Sequence, residues 1–155
     1  VGVAEDTIEL YTDPQGTTND FVLMSKADDT TRFFSLIDTQ NPASAGEWGE
    51  WLDDRKGILG MPSFQTPDGV QWSRMILPNS GFRVTPQETE ISVTLGQETT
   101  SVGTLSALYR RDTGFSGGYP KQEYILVRVE KNSDGAAINI YAGVDIARSS
   151  LDLTV

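Results

Sequence analysis

Residues 123–131 read EYILVRVEK, residues 132–135 NSDG and residues 136–142 AAINIYA. Two apolar-rich runs flanking a short polar connection that ends in glycine have the pattern of an antiparallel hairpin. In that hairpin Ile125, Val127 and Val129 face the same core as Ile138 and Ile140. The period is two residues, the repeat of a strand and not of a helix.

The same period extends outward in both directions. In Thr89–Leu95 the residues Ile91, Val93 and Leu95 alternate without a break with Glu90, Ser92 and Thr94. Val102–Arg110 follows, with Leu105, Ala107 and Tyr109 on one side. Pro67-Asp68-Gly69 opens a strand in which Val70, Trp72 and Ile76 alternate with Gln71, Ser73 and Leu77, and Arg74 falls on the apolar face. Asn79-Ser80-Gly81 turns that strand into Phe82–Thr85. Asp20–Ser25 and Thr31–Asp38, joined by Lys26–Thr30, read as a hairpin; Thr7–Tyr11 ends at the turn Asp13–Gly16, and Leu151–Val155 forms a last alternating run. About nine or ten short strands without βαβ spacing or an internal repeat predict one all-β domain over residues 1–155. Its expected form is an antiparallel two-sheet sandwich, jelly-roll-like, or a partly closed barrel.

One segment departs from the pattern. Ser44 followed by Glu47 makes a capping box, Trp48, Trp51 and Leu52 share a helical face, and Arg55 and Lys56 precede Gly57. This predicts one short helix at residues 45–55, sealing the β core with its two indoles. Gly46 and Gly49 weaken it by roughly 1 kcal/mol each relative to Ala.

The chain has 155 residues, no Cys and no His, and a formal charge of −10. Without imidazole or thiol there is no Ser-His-Asp relay, thiolate nucleophile, His-ligated zinc, iron–sulfur cluster or disulfide. Residues 1–77 carry 13 acids against 5 bases, and such a surface repels phosphate backbones, which argues against nucleic-acid binding. The nearest approach to a basic patch, Arg110, Arg111, Lys121, Arg128 and Lys131, is interrupted by Asp112, Glu123 and Glu130. No run reaches the ~18 apolar residues of a membrane span.

Four groups of residues could carry chemistry. Glu47, Glu50, Asp53 and Asp54 offer the paired carboxyls of a glycosidase, but on one short helix they suit the positive N-terminal dipole and solvent better than a cleft. Asp13, Asp28-Asp29 and Asp53-Asp54 could ligate Ca²⁺, although none has the spacing of a calcium-binding loop. Trp48, Trp51 and Trp72 could form a platform for stacking sugar rings, or simply fill the core. The loop Asp112–Pro120 carries Phe115 and Tyr119 on a Gly- and Ser-rich backbone next to Arg110 and Arg111, a composition suited to a protein partner.

No catalytic residue, metal or cofactor is expected from this inventory. The predicted function is that of a non-enzymatic structural protein, a virion subunit (capsid, decoration or tail component) acting through symmetric contacts in a homo-oligomer or larger assembly. Phe115, Tyr119, Arg110 and Arg111 are its expected partner contacts. The alternative is a carbohydrate-binding β-sandwich module using Trp48, Trp51 and Trp72.

Overall fold

In chain order the strands are β1 (Thr7–Leu10), β2 (Phe21–Ser25), β3 (Thr30–Gln40), β4 (Ser63–Gln65), β5 (Gln71–Arg74), β6 (Gln87–Leu95), β7 (Glu98–Asp112), β8 (Gln122–Asn132) and β9 (Gly135–Ala147). One helix, α1 (Ala45–Leu52), and a 3-10 turn (Ile58–Gly60) lie between β3 and β4. This computed structural model describes residues 7–10, 21–25, 30–75, 87–114, 117, 120–132, 135–147 and 149. The turn expected at Asp13–Gly16, the strands expected at Phe82–Thr85 and Leu151–Val155, the acids Asp28 and Asp29, and the aromatics Phe115 and Tyr119 lie outside them.

The expected hairpin forms in the expected register, with Val127 opposite Ile140 and Val129 opposite Ile138. β7 pairs with the other edge of β8, placing Ala107 opposite Val127 and Tyr109 opposite Ile125. β3 pairs with β9 and β2 with β3, so the two strands of the second expected hairpin pair as expected over Phe21–Ser25 and Thr31–Ser35. All pairings are antiparallel, and the nine strands share one sheet in the order β1-β2-β3-β9-β8-β7-β5-β4, with β6 added on β7. The all-β expectation therefore holds. The described strands do not divide into two sheets, and the sheet does not close into a barrel.

Why one sheet can stand where two were expected is visible in β8. Its residues are buried on both faces: Val127 and Val129 on one side, Tyr124 and Leu126 on the other. The helix-side core joins Leu59, Trp72, Ala107, Tyr109, Val127, Val129 and Ile138, with Trp48, Trp51 and Leu52 of α1 packed against it. The far-side core joins Val22, Phe34, Tyr124, Leu126 and Tyr141. Each large apolar side chain taken fully out of water stabilises the fold by about 1.5–3 kcal/mol. A strand buried on both faces reads as a nearly continuous apolar run, and YILVRV is such a run.

Charge is built into the far side. Arg32 and Asp145 are opposite each other on β3 and β9, and both are buried. The Arg32 guanidinium lies over the Tyr124 ring, 5.1 Å from its centroid, and the Tyr124 hydroxyl donates to Asp145 Oδ1 at 2.8 Å. Arg128, also buried, lies over Tyr141 and pairs with Glu130 at 3.5 Å. Stacked guanidinium groups keep favourable contact where a hydrated ammonium could not.

α1 ends earlier than residues 45–55 predicted. Ser44 Oγ accepts from Glu47 N at 3.2 Å, as a capping box requires, while Glu47 Oε2 accepts from Ala43 N at 2.7 Å. At the other end Asp53 Oδ1 accepts from the N–H groups of Arg55 and Lys56, both at 2.9 Å. A side chain that satisfies the backbone in this way competes with continued helix, so Arg55 and Lys56 belong to a turn.

Two measurements probe the far side. At Gly143, opposite Phe34, an added Cβ would stand 2.6 Å from the Phe34 Cε1 atom, in a core with no room to yield. Gly143→Ala should lower stability by about 1–3 kcal/mol in urea unfolding, and an unchanged midpoint would refute the packing described. Burial, reinforced by the bond to Asp145, pushes the Tyr124 phenol from 10.0 up to about 12. The folded chain thus holds this proton more tightly than the unfolded chain, so the stabilisation is whole below pH 10 and is lost as pH rises toward 12. That loss should amount to about 2–3 kcal/mol. Tyr124→Phe should flatten the alkaline stability profile; a variant whose stability falls with rising pH as steeply as that of wild type would contradict the assignment.

Candidate functional site

Three surfaces carry polar or unsatisfied groups that the cores do not consume. The first depends on an irregularity in β3. Its register with β9 shifts between Leu36 and Asp38, leaving Ile37 as the bulged residue, 60% exposed. Strict alternation would put Asp38 and Gln40 on the far side with Phe34 and Leu36. The extra residue turns them toward the helix side, opposite Ile140 and Ile138. Thr39 correspondingly faces the far side, where its Oγ1 donates to Asn139 Oδ1 at 2.8 Å.

Asp38 and Gln40 thereby meet α1. Together with Asn41, Glu47, Glu50 and Trp51 they line an open groove of about 330 Å³. Gln40 Nε2 donates to Asp38 Oδ2 at 3.1 Å, and Glu47 is engaged in capping the helix. Three carboxyls give the groove a negative potential, and Trp51 with Pro42 supplies its apolar lining.

What holds α1 against the sheet is buried one strand away. Arg74 Nη1 donates to the Leu59 carbonyl at 2.7 Å and to the Tyr109 hydroxyl at 3.2 Å. That hydroxyl lies 3.0 Å from the Met61 carbonyl and 3.2 Å from the Ile58 carbonyl. The segment after α1 is thus fixed by its carbonyls to two side chains rooted in β5 and β7. Gly57 closes the approach: a Cβ there would lie 2.5 Å from the Asp53 nitrogen. Arg74, an anomaly on an apolar face in the sequence, is the group that anchors this crossing.

The second surface is a shallow depression lined by Val70, Gln71, Ser73, Arg110, Arg111 and Asp112. Arg110 is exposed on the far side, opposite Tyr124, whereas Arg111 points to the helix side and pairs with Glu123 across the sheet. The Arg111 guanidinium also lies over Trp72, 5.6 Å from the ring centroid. The two arginines expected to act together therefore project from opposite faces, and Arg128 of the same basic group is buried.

The tryptophans likewise separate. Trp72 is 8% exposed, stacked with Phe64 at 6.3 Å, its Nε1 donating to Thr66 Oγ1 at 3.4 Å. Trp48 and Trp51 are partly buried against the same core, and of the three Trp51 alone lines the groove. Asp38, Gln40 and Asn41 have no counterpart in the sequence reading. The one signal for them was the adjacency of Leu36 and Ile37, a break in alternation that marks a bulge.

The third surface is the β6–β7 ribbon. β7 meets β8 from Gly103 onward, yet it pairs with β6 from Glu98. Residues 98–102 and their partners 91–95 therefore extend past the end of β8 as two strands joined by the turn Gly96-Gln97. Glu88, Gly96, Gln97, Glu98 and Thr99 are exposed along it. Among the described strands β6 pairs with β7 alone.

The anchor can be tested by Tyr109→Phe, which leaves two carbonyls and Arg74 short of one hydroxyl. A loss of about 1–3 kcal/mol is expected, with the Trp48 and Trp51 emission moving toward that of exposed indole before global unfolding. A single unfolding transition at the wild-type midpoint would show that the clamp does not hold α1. No protein-family model, curated protein or solved structure matches this chain.

Proposed function

We propose that the chain is a structural subunit without catalytic activity, acting through contacts with copies of itself in a viral or phage particle as a shell, decoration or tail component. The observation that carries this reading is the ribbon that runs past β8. A two-stranded ribbon alone in water is marginally stable at best, and it gains from packing or pairing with a neighbour. Its outer strand has the sequence QETEISVTL, in which Ile91, Val93 and Leu95 alternate with polar residues and no Lys or Pro interrupts. Apart from Glu88 and Glu90, that strand carries none of the charges or prolines that usually discourage strand addition. Extension of a sheet by a neighbour's strand supplies main-chain hydrogen bonds without any reactive group.

Charge refines the reading. A net −10 suits the outer surface of a particle, or a cementing position between other subunits, better than an inner wall against nucleic acid.

Light scattering after size exclusion tests the proposal. The wild-type chain at micromolar concentration should elute as an oligomer. A variant in which residues 92–101 are replaced by Asn-Gly, closing the hairpin at Ile91 and Val102, should elute as a folded monomer with an unchanged circular dichroism spectrum. A wild-type chain that stays monomeric at every concentration reached, or oligomers that persist in the shortened variant, would refute it.

A further inference from the structure

The groove between β3 and α1 lies away from the ribbon, with β9, β8 and β7 between β3 and β6. We propose that it is a binding site for a saccharide, with preference for a sugar bearing a protonated amine. Its volume of about 330 Å³ is within the ~300–1,000 Å³ of small-ligand sites. The chemistry of its lining is that of sugar recognition. Trp51 supplies an indole surface on which the C–H face of a pyranose can stack. The carboxylates of Asp38 and Glu50 can each accept from neighbouring hydroxyls, and the amides of Gln40 and Asn41 can both donate and accept. Glu50 and Asn41 make no hydrogen bond or ion pair among the described residues, so both remain available to a ligand.

The site is also built, in that two independent features converge on it. The bulge at Ile37 moves Asp38 and Gln40 onto the helix side, and the short helix, stopped by Asp53, presents Glu50 and Trp51 toward them. The bulge is not required by the strand pairing before it, since a regular β3 would keep the same pairs from Thr30 to Leu36. Charge then selects among sugars. Asp38, Glu47 and Glu50 line the groove without a Lys or Arg, so an ammonium group on the ring is favoured and a uronate or sulfate is repelled.

Titrations of the labelled full chain with glucosamine, glucose and glucuronate, followed at the Trp51 indole N–H and assigned by Trp51→Phe, test the proposal. Glucosamine should saturate in the millimolar range, glucose should bind more weakly and glucuronate should leave the resonance unmoved. Glu50→Gln and Asp38→Asn, both in the groove lining and outside the cores, should each weaken glucosamine about tenfold. Three results would overturn the site: no shift with any of the sugars, shifts unchanged in both variants, or an equal response to methylamine, which would mean that the ring is not recognised. Repeating the titration with the ribbon-shortened variant separates the two ideas, because a monomer that still binds glucosamine keeps the groove independent of assembly.

Discussion

The guanidinium of Arg74 is inside the protein, and the arrangement of the helix side follows from where its protons go. One donor reaches the Leu59 carbonyl and the Tyr109 hydroxyl, and that hydroxyl sits between the carbonyls of Ile58 and Met61. A buried cation and three backbone carbonyls would each be penalised alone; together they satisfy one another. The crossing from α1 back to the sheet is held by this exchange. Trp48, Trp51 and Leu52 are then pressed onto Tyr109, Val127 and Ile138, and the groove beside them takes its shape.

Much of this architecture could be read from residue types. The central hairpin, the pairing of Val127 with Ile140, the β2–β3 hairpin and the Ser44 cap all follow from alternation and capping chemistry that act locally. Three things could not be read that way. The second core is not legible from alternation alone, which places Tyr124, Leu126 and Tyr141 opposite the Ile125, Val127 and Ile140 face without saying that they are buried; the uninterrupted YILV run is its one sequence signal. Asp38 and Gln40 escaped notice because a bulge inverts the facing of every residue after it, and inversion leaves only the Leu36-Ile37 doublet as a trace. Burial of Arg32, Arg128 and Asp145 has no trace in the sequence, since charge normally stays in solvent; stacking on Tyr124 and Tyr141 and the bond from Tyr124 to Asp145 make it tolerable.

The two surfaces proposed for function share an origin. Each arises where a strand departs from the regular lattice: β3 by one inserted residue, β7 by five residues of overreach beyond β8. Regular pairing consumes main-chain donors and acceptors and divides side chains evenly between faces. Irregular positions are where polar groups become available to another molecule, and on this sheet they are at opposite flanks, with β3 beyond β9 and β6 beyond β7. A ligand in the groove and a neighbour on the ribbon therefore need not compete for space.

β7 has one further property. Along a single edge it hands its hydrogen bonds first to β6, through Ser106, and then to β5, from Tyr109. The two partners are arranged end to end and have no shared ladder. Peeling β6 away would break a row of bonds that stops at Ser106 and would not travel into the Arg74 anchor at Tyr109. Opening of the β6 pairs is therefore separable from the β5 pairs at Tyr109 and Arg110, in the way that a local unit opens while the rest of a fold stays closed.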